Sequence, residues 1–203
     1  MMRLYDNPVS GNCYKVRLFL ALIGREYETV TVDSLHGETR EAPFRAISPR
    51  GLIPVLEDQG ERIADSMAIL VYLARRYAPK WLPAGPLAMA RVMEWLAIAA
   101  DELQYGAALA RRIRKLGMAG DLTRAQMHAE CGLSLLEHQL ERHHWLVGGQ
   151  PSIADIACYP YVALLPEGGV PLDPYPPVRA WMARIEQLPG YVAMPGIEAQ
   201  QTT

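Results

Sequence analysis

Four chain-breaking residues, Pro79, Pro83, Gly85 and Pro86, fall within eight positions and separate two stretches of unlike periodicity. Such a cluster predicts a linker at 79–86 between a domain at 1–78 and another at 87–203. Before the break, residues 2–5 and 27–32 read as strands flanking a helix over 13–22, which is a βαβ unit. The polar stretch 34–44 predicts a short helix, and Ser48-Pro49-Arg50-Gly51 a turn. Strands over 54–57 and 62–64 join as a hairpin through Gln59-Gly60. A helix starting at Asp65 sets Ile69, Leu70, Leu73, Ala74 and Tyr77 on one face. After the break the pattern is helical, over 87–116, 122–144, 152–165 and 177–188. The expected fold class is an α/β domain followed by an all-α bundle.

Composition removes several function classes. Twenty Lys and Arg stand against twenty-two Asp and Glu, ten against ten of them before residue 79, so neither half has the basic balance of a nucleic-acid binder. No 18-residue apolar run occurs and the first residues lack a signal-peptide pattern, so no membrane partner is expected. Cys13, Cys131 and Cys158 form no CxxC pair, which argues against a disulfide framework and for a reducing, cytoplasmic compartment. The histidines show no ligand spacing with acidic residues, and no metal is expected. Ser152-Ile153-Ala154-Asp155 before an apolar run reads as a capping box, a structural signal.

Five landmarks now stand in order: Ser10-Gly11-Asn12-Cys13-Tyr14-Lys15-Val16-Arg17 after the first strand; Gly51-Leu52-Ile53-Pro54-Val55-Leu56; Asp65-Ser66-Met67-Ala68-Ile69; Ser152-Ile153-Ala154-Asp155-Ile156; and Arg179-Ala180-Trp181 through Leu188-Pro189-Gly190-Tyr191. Together they resemble the cytosolic glutathione transferase superfamily, bacterial in type, across nearly the whole chain. The resemblance implies a thioredoxin-like first domain that binds glutathione, a helical domain completing an electrophile pocket, and a homodimer. Glutathione is the implied co-substrate.

Conjugation needs the glutathione thiol as thiolate. With a free pKa of about 8.5, roughly 3% is ionised at pH 7; lowering it by two pH units gives about three quarters, for about 2.7 kcal/mol of differential stabilisation. Donors at a helix N-terminus suit that task. Ser10 matches the serine of serine-type members and ranks first; Asn12, matching an asparagine of certain bacterial and fungal relatives, ranks second; Cys13 is third. A plain helix cap explains Ser10 and Asn12 equally well as residue types, and a small buried hydrophobe explains Cys13. Tyr5 sits on a strand and receives no catalytic role.

By the same likeness, Ile53-Pro54 is a cis step whose Ile53 backbone pairs with glutathione. Asp65 and Ser66 would hold the γ-glutamyl end, and His36, Arg40 and Arg50 are candidates for the glycyl carboxylate, with Arg50 favoured. Leu52 departs from the polar residue many relatives carry. Tyr105, Leu109, Arg112 and Ile113 recur at helical spacing and are expected to line the electrophile pocket. Met89, Met93 and Trp95 are candidate dimer contacts. The expected activity is transfer of glutathione to a small hydrophobic electrophile. Peroxide reduction, isomerisation of cis double bonds or disulfide-bond reduction at the same site, and a non-catalytic scaffold of this fold, are the alternatives.

Overall fold

The computed structural model describes residues 1–197. Strand β1 (Arg3–Asp6) runs parallel to β2 (Glu28–Thr31) after helix α1 (Gly11–Leu22), and antiparallel to β3 (Val55–Asp58), which pairs with β4 (Glu61–Ala64). The sheet order is β2-β1-β3-β4. The β3–β4 turn has Gln59 and Gly60 both at positive φ, 54° and 84°, the backbone that a two-residue hairpin demands. Alternation along β1 and β3 splits the sheet between two apolar clusters. Leu4 and Leu56 join the main core with α1 and α3 (Ser66–Tyr77). Tyr5 and Val55 face the other way with Val32 and Phe44, the latter on the short α2 (Ala42–Arg45), so Tyr5 is a core residue.

After a 3-10 turn at Pro79–Trp81, α4 (Pro86–Ala100) begins on a proline, which the first helical turn tolerates. The single helix expected over 87–116 is instead interrupted. Asp101 breaks the ladder with φ −111° and ψ −84°, a π turn spans Glu102–Ala107, and α5 (Ala108–Leu116) follows. The cause is packing against α6 (Leu122–Leu140): a Cβ on Gly106 would stand 2.4 Å from the Ala129 nitrogen, so only glycine admits this approach.

Helix α7 (Ile153–Ala163) is buried over its whole length and packs on α1, α3 and α4, which fastens the helical half to the α/β half. Its start carries the expected capping box. The Ser152 Oγ accepts the Ala154 N–H at 3.2 Å, and Asp155 Oδ2 accepts the Ser152 N–H at 2.8 Å. Asp155 Oδ1 also accepts the Leu146 N–H at 3.0 Å and the indole N–H of Trp181, on α8 (Pro176–Glu186), at 2.9 Å. One carboxylate therefore ties two helices and a loop together.

Candidate active site

The loop from β1 to α1 is held by two guanidinium groups. Arg17 pairs with Asp6 and donates to the Asn7 carbonyl at 3.2 Å and the Pro8 carbonyl at 3.0 Å. Arg111 of α5, salt-bridged to Glu167, donates to the Val9 carbonyl at 2.8 Å. Three successive carbonyls are thus turned onto fixed cations, and the chain enters α1 in one orientation. Ser10 is the N-cap, its Oγ accepting the Cys13 N–H at 3.3 Å. Gly11 follows because a Cβ there would lie 2.5 Å from the ring of Tyr161 on α7.

Asn12 joins three elements. Its Oδ1 accepts from Lys15 Nζ at 3.0 Å and from the Ser66 hydroxyl at 3.4 Å, while its Nδ2 donates to Gln104 Oε1 on the π turn at 3.1 Å. Ser66 is nearly buried at the first position of α3, so the N-termini of α1 and α3 meet through this amide. Two helix N-termini pointing into one place create a field that favours anions. Cys13 is wholly buried, and burial pushes its thiol up to about 12. It behaves as a small hydrophobe, and the third candidate for activating the sulfur falls away.

Asp65 caps α3, accepting the Met67 and Ala68 N–H groups at 2.9 and 3.4 Å. Its backbone is held at φ 92°, a region that costs a non-glycine residue energy. Arg50 faces it, Nη1 to Oδ2 at 3.7 Å, with both side chains substantially exposed. The Ile53–Pro54 peptide is cis, the isomer that the family likeness implies. The Leu52 side chain is exposed while its N–H and C=O are both taken by Ser48 Oγ, so it presents only apolar surface. His36 lies out on the loop after β2 and pairs with Asp33 at 2.7 Å; Arg40 is exposed nearby.

The comparisons with known proteins follow the same division. A family model described as glutathione S-transferase, N-terminal domain, matches residues 4–81, and the corresponding C-terminal domain model matches 126–189. The chain belongs to the glutathione S-transferase family. It is 31% identical to a maleylacetoacetate isomerase of Pseudomonas aeruginosa over 88% of both chains. Likewise it is 31% identical to the disulfide-bond oxidoreductase YfcG of Escherichia coli, over 93% of this chain and 92% of that one. A crystal structure of a glutathione S-transferase from Pseudomonas fluorescens superposes with a TM-score of 0.88 at 36% identity, covering 96% and 98% of the two chains.

Within this glutathione S-transferase fold the expected electrophile stripe divides. Tyr105 and Leu109 line a cleft of about 730 Å³ together with Asp101, Arg124, His128 and Cys131. Arg112 stands on the side of Tyr161, whose hydroxyl feels its charge, and is no part of that lining. Gln104, one position before Tyr105, is the residue that reaches Asn12.

Three site residues escape a motif-based reading. Gln104 becomes legible only once the π turn is known. Arg111 reads as part of a solvated basic run, yet only 4% of it is exposed. Lys15 carried a usable signal, since Leu18, Phe19 and Leu22 follow it at i+3, i+4 and i+7, which is the spacing of a buried face.

Proposed function

We propose that this family member binds glutathione at the meeting of α1 and α3 and ionises its thiol for attack on a small hydrophobic electrophile. The observation that carries this is the Asn12–Ser66 contact. It joins the Asn12 side chain, two residues past the Ser10 cap, to Ser66 and so brings the starts of α1 and α3 into one polar patch. Ser10 and Asn12 serve the sulfur, Ile53 the peptide backbone, and Ser66 with Asp65 the γ-glutamyl end. Arg50, already beside Asp65, and the more distant His36 are offered to the carboxylates. Positioning of thiolate and electrophile together supplies the rate.

Tyr105, Leu109 and Arg112 remain candidates for the electrophile side, now on two surfaces rather than one. A homodimer in the cytoplasm is the expected setting by family likeness. No helix among the described residues is long and apolar enough to cross a membrane.

A second reading has support from the relatives. One relative is named a maleylacetoacetate isomerase, and a thiolate at this site that adds to a conjugated double bond, allows rotation and leaves again would act as an isomerase here. Disulfide exchange through a protein thiolate has less support at the start of α1, because Cys13 and Cys158 are both buried and burial raises both thiols, while the exposed Cys131 belongs to α6 and the cleft beside Tyr105. Reduction that uses glutathione alone needs no protein thiol.

The test is a titration of glutathione thiolate absorbance in the presence of excess protein. A bound thiol that ionises at least one pH unit below about 8.5 supports the reading. The Ser10→Ala and Asn12→Ala variants each remove a hydrogen bond to a charged group, about 1.5–3 kcal/mol, and raise the bound thiol by about one to two pH units. Binding without a shift points to a carrier, and no binding to a scaffold of this fold.

A further inference from the structure

Lys15 is wholly buried, and no carboxylate lies within ion-pair distance of it among the described residues. A buried ammonium without a counterion is costly unless the fold uses it. Its surroundings are specific. Nζ donates to Asn12 Oδ1 at 3.0 Å and sits 4.8 Å from the centroid of the Tyr161 ring. The titratable groups that bear on it are Asp65 at the cap of α3 and Cys158 on α7, with Glu102 of the π turn acting on Cys158 behind them.

The geometry decides how the Asn12 amide must point. Lys15 and Ser66 both have a proton to give, and only Oδ1 can take both. A flipped amide would set its own N–H groups against the ammonium, so Nδ2 is fixed outward. One of its N–H groups goes to Gln104, and the other has no acceptor among the described residues.

We propose that Lys15 is a positioning residue for the glutathione sulfur: it locks the Asn12 amide with its N–H edge outward and polarises that amide from behind with a buried positive charge. The inference rests on the reading of this site as one that ionises glutathione. No bond to Lys15 forms, and the thiol proton goes to solvent. Burial pulls the Lys15 ammonium down to about 8. An anion bound beyond Asn12 favours the charged ammonium and so strengthens the lysine's hold on its proton.

The experiment compares bound-glutathione thiolate titrations of wild type, Lys15→Met, Lys15→Arg, Asn12→Ala and the double variant Lys15→Met/Asn12→Ala. Lys15→Met should raise the bound thiol by about one pH unit, cutting thiolate at pH 6 about tenfold. It should lower kcat while changing the KM for glutathione less than about threefold. Lys15→Arg should recover most of the loss, and in the Asn12→Ala background the same Lys15→Met change should cost several-fold less.

A companion measurement needs no variant. The lysine Nζ resonance, followed by nitrogen NMR in the intact protein, should titrate at higher pH with glutathione bound than with S-methylglutathione, because the coupling is reciprocal. A folded Lys15→Met protein whose bound thiol titrates like wild type, equal losses in both backgrounds, or a Lys15 titration blind to the thiolate would each overturn the inference. If wild type itself shows no lowered thiol, the parent reading fails first, before any variant is examined.

Discussion

Replacing Asp155 by asparagine preserves the side-chain shape and removes one of its two acceptor edges. Asp155 has no exposed surface, and its oxygens take four donors: the Leu146 N–H at 3.0 Å, the Trp181 indole at 2.9 Å, the Ser152 N–H at 2.8 Å and the Ser152 hydroxyl at 3.1 Å. Burial alone raises its carboxyl, and those four donors pull against that rise. In Asp155→Asn the best orientation turns Nδ2 toward Ser152, whose hydroxyl can rotate and accept while its N–H cannot. That leaves one buried N–H unpaired, about 1–3 kcal/mol, and makes the surviving charge-assisted bonds neutral, about 1 kcal/mol more. The expected loss is about 3 kcal/mol. Ser152→Ala should cost only about 1 kcal/mol, the ordinary value of a cap. Urea unfolding at fixed protein concentration reads both as a lower midpoint at unchanged slope. A loss below about 1 kcal/mol in Asp155→Asn would refute the view that this carboxylate is a junction rather than a local cap.

Gly106→Ala should destabilise by about 1–3 kcal/mol, since the new methyl meets backbone atoms of Ala129 at 2.4 and 2.7 Å and one segment must move. It should also raise the bound thiol by displacing Gln104, and urea midpoints with the thiolate titration check the two effects separately. For Lys15, the folded state holds its proton less tightly than the unfolded chain does, about 8 against 10.5. Stability therefore rises with pH between those values, and below about pH 8 the buried charge costs about 3 kcal/mol. Lys15→Met should remove that rise and be the more stable protein at pH 7 despite its weaker chemistry, as unfolding measured at pH 7 and pH 9.5 will show.

Features encoded by neighbours in the chain were legible from the sequence. Gln59-Gly60 makes its turn with its own φ angles, and Ser152 with Asp155 closes a cap within four residues. The break in the helix expected over 87–116 was not legible as a π turn, because its cause lies across space: Gly106, by itself only a weak point in a helix, is pressed on Ala129. The same distance hides the site's supports. Arg111 reaches a carbonyl 102 positions away, and Asn12 reaches Gln104 across 92. A charge ordinarily marks a solvated position, so the helical spacing that sets Lys15 on the buried face with Leu18, Phe19 and Leu22 is the only sign of its burial within the chain.

The bond from Asn12 to Gln104 and the grip of Arg111 on Val9 run between the proposed glutathione site and the helices proposed to receive the electrophile. On that reading, nucleophile strength and substrate choice are written partly on the same stretch of chain. A lineage that reshapes residues 101–116 to admit a new electrophile also retunes the sulfur that attacks it. Grafting that stretch from a relative would carry over some of the relative's reactivity along with its selectivity.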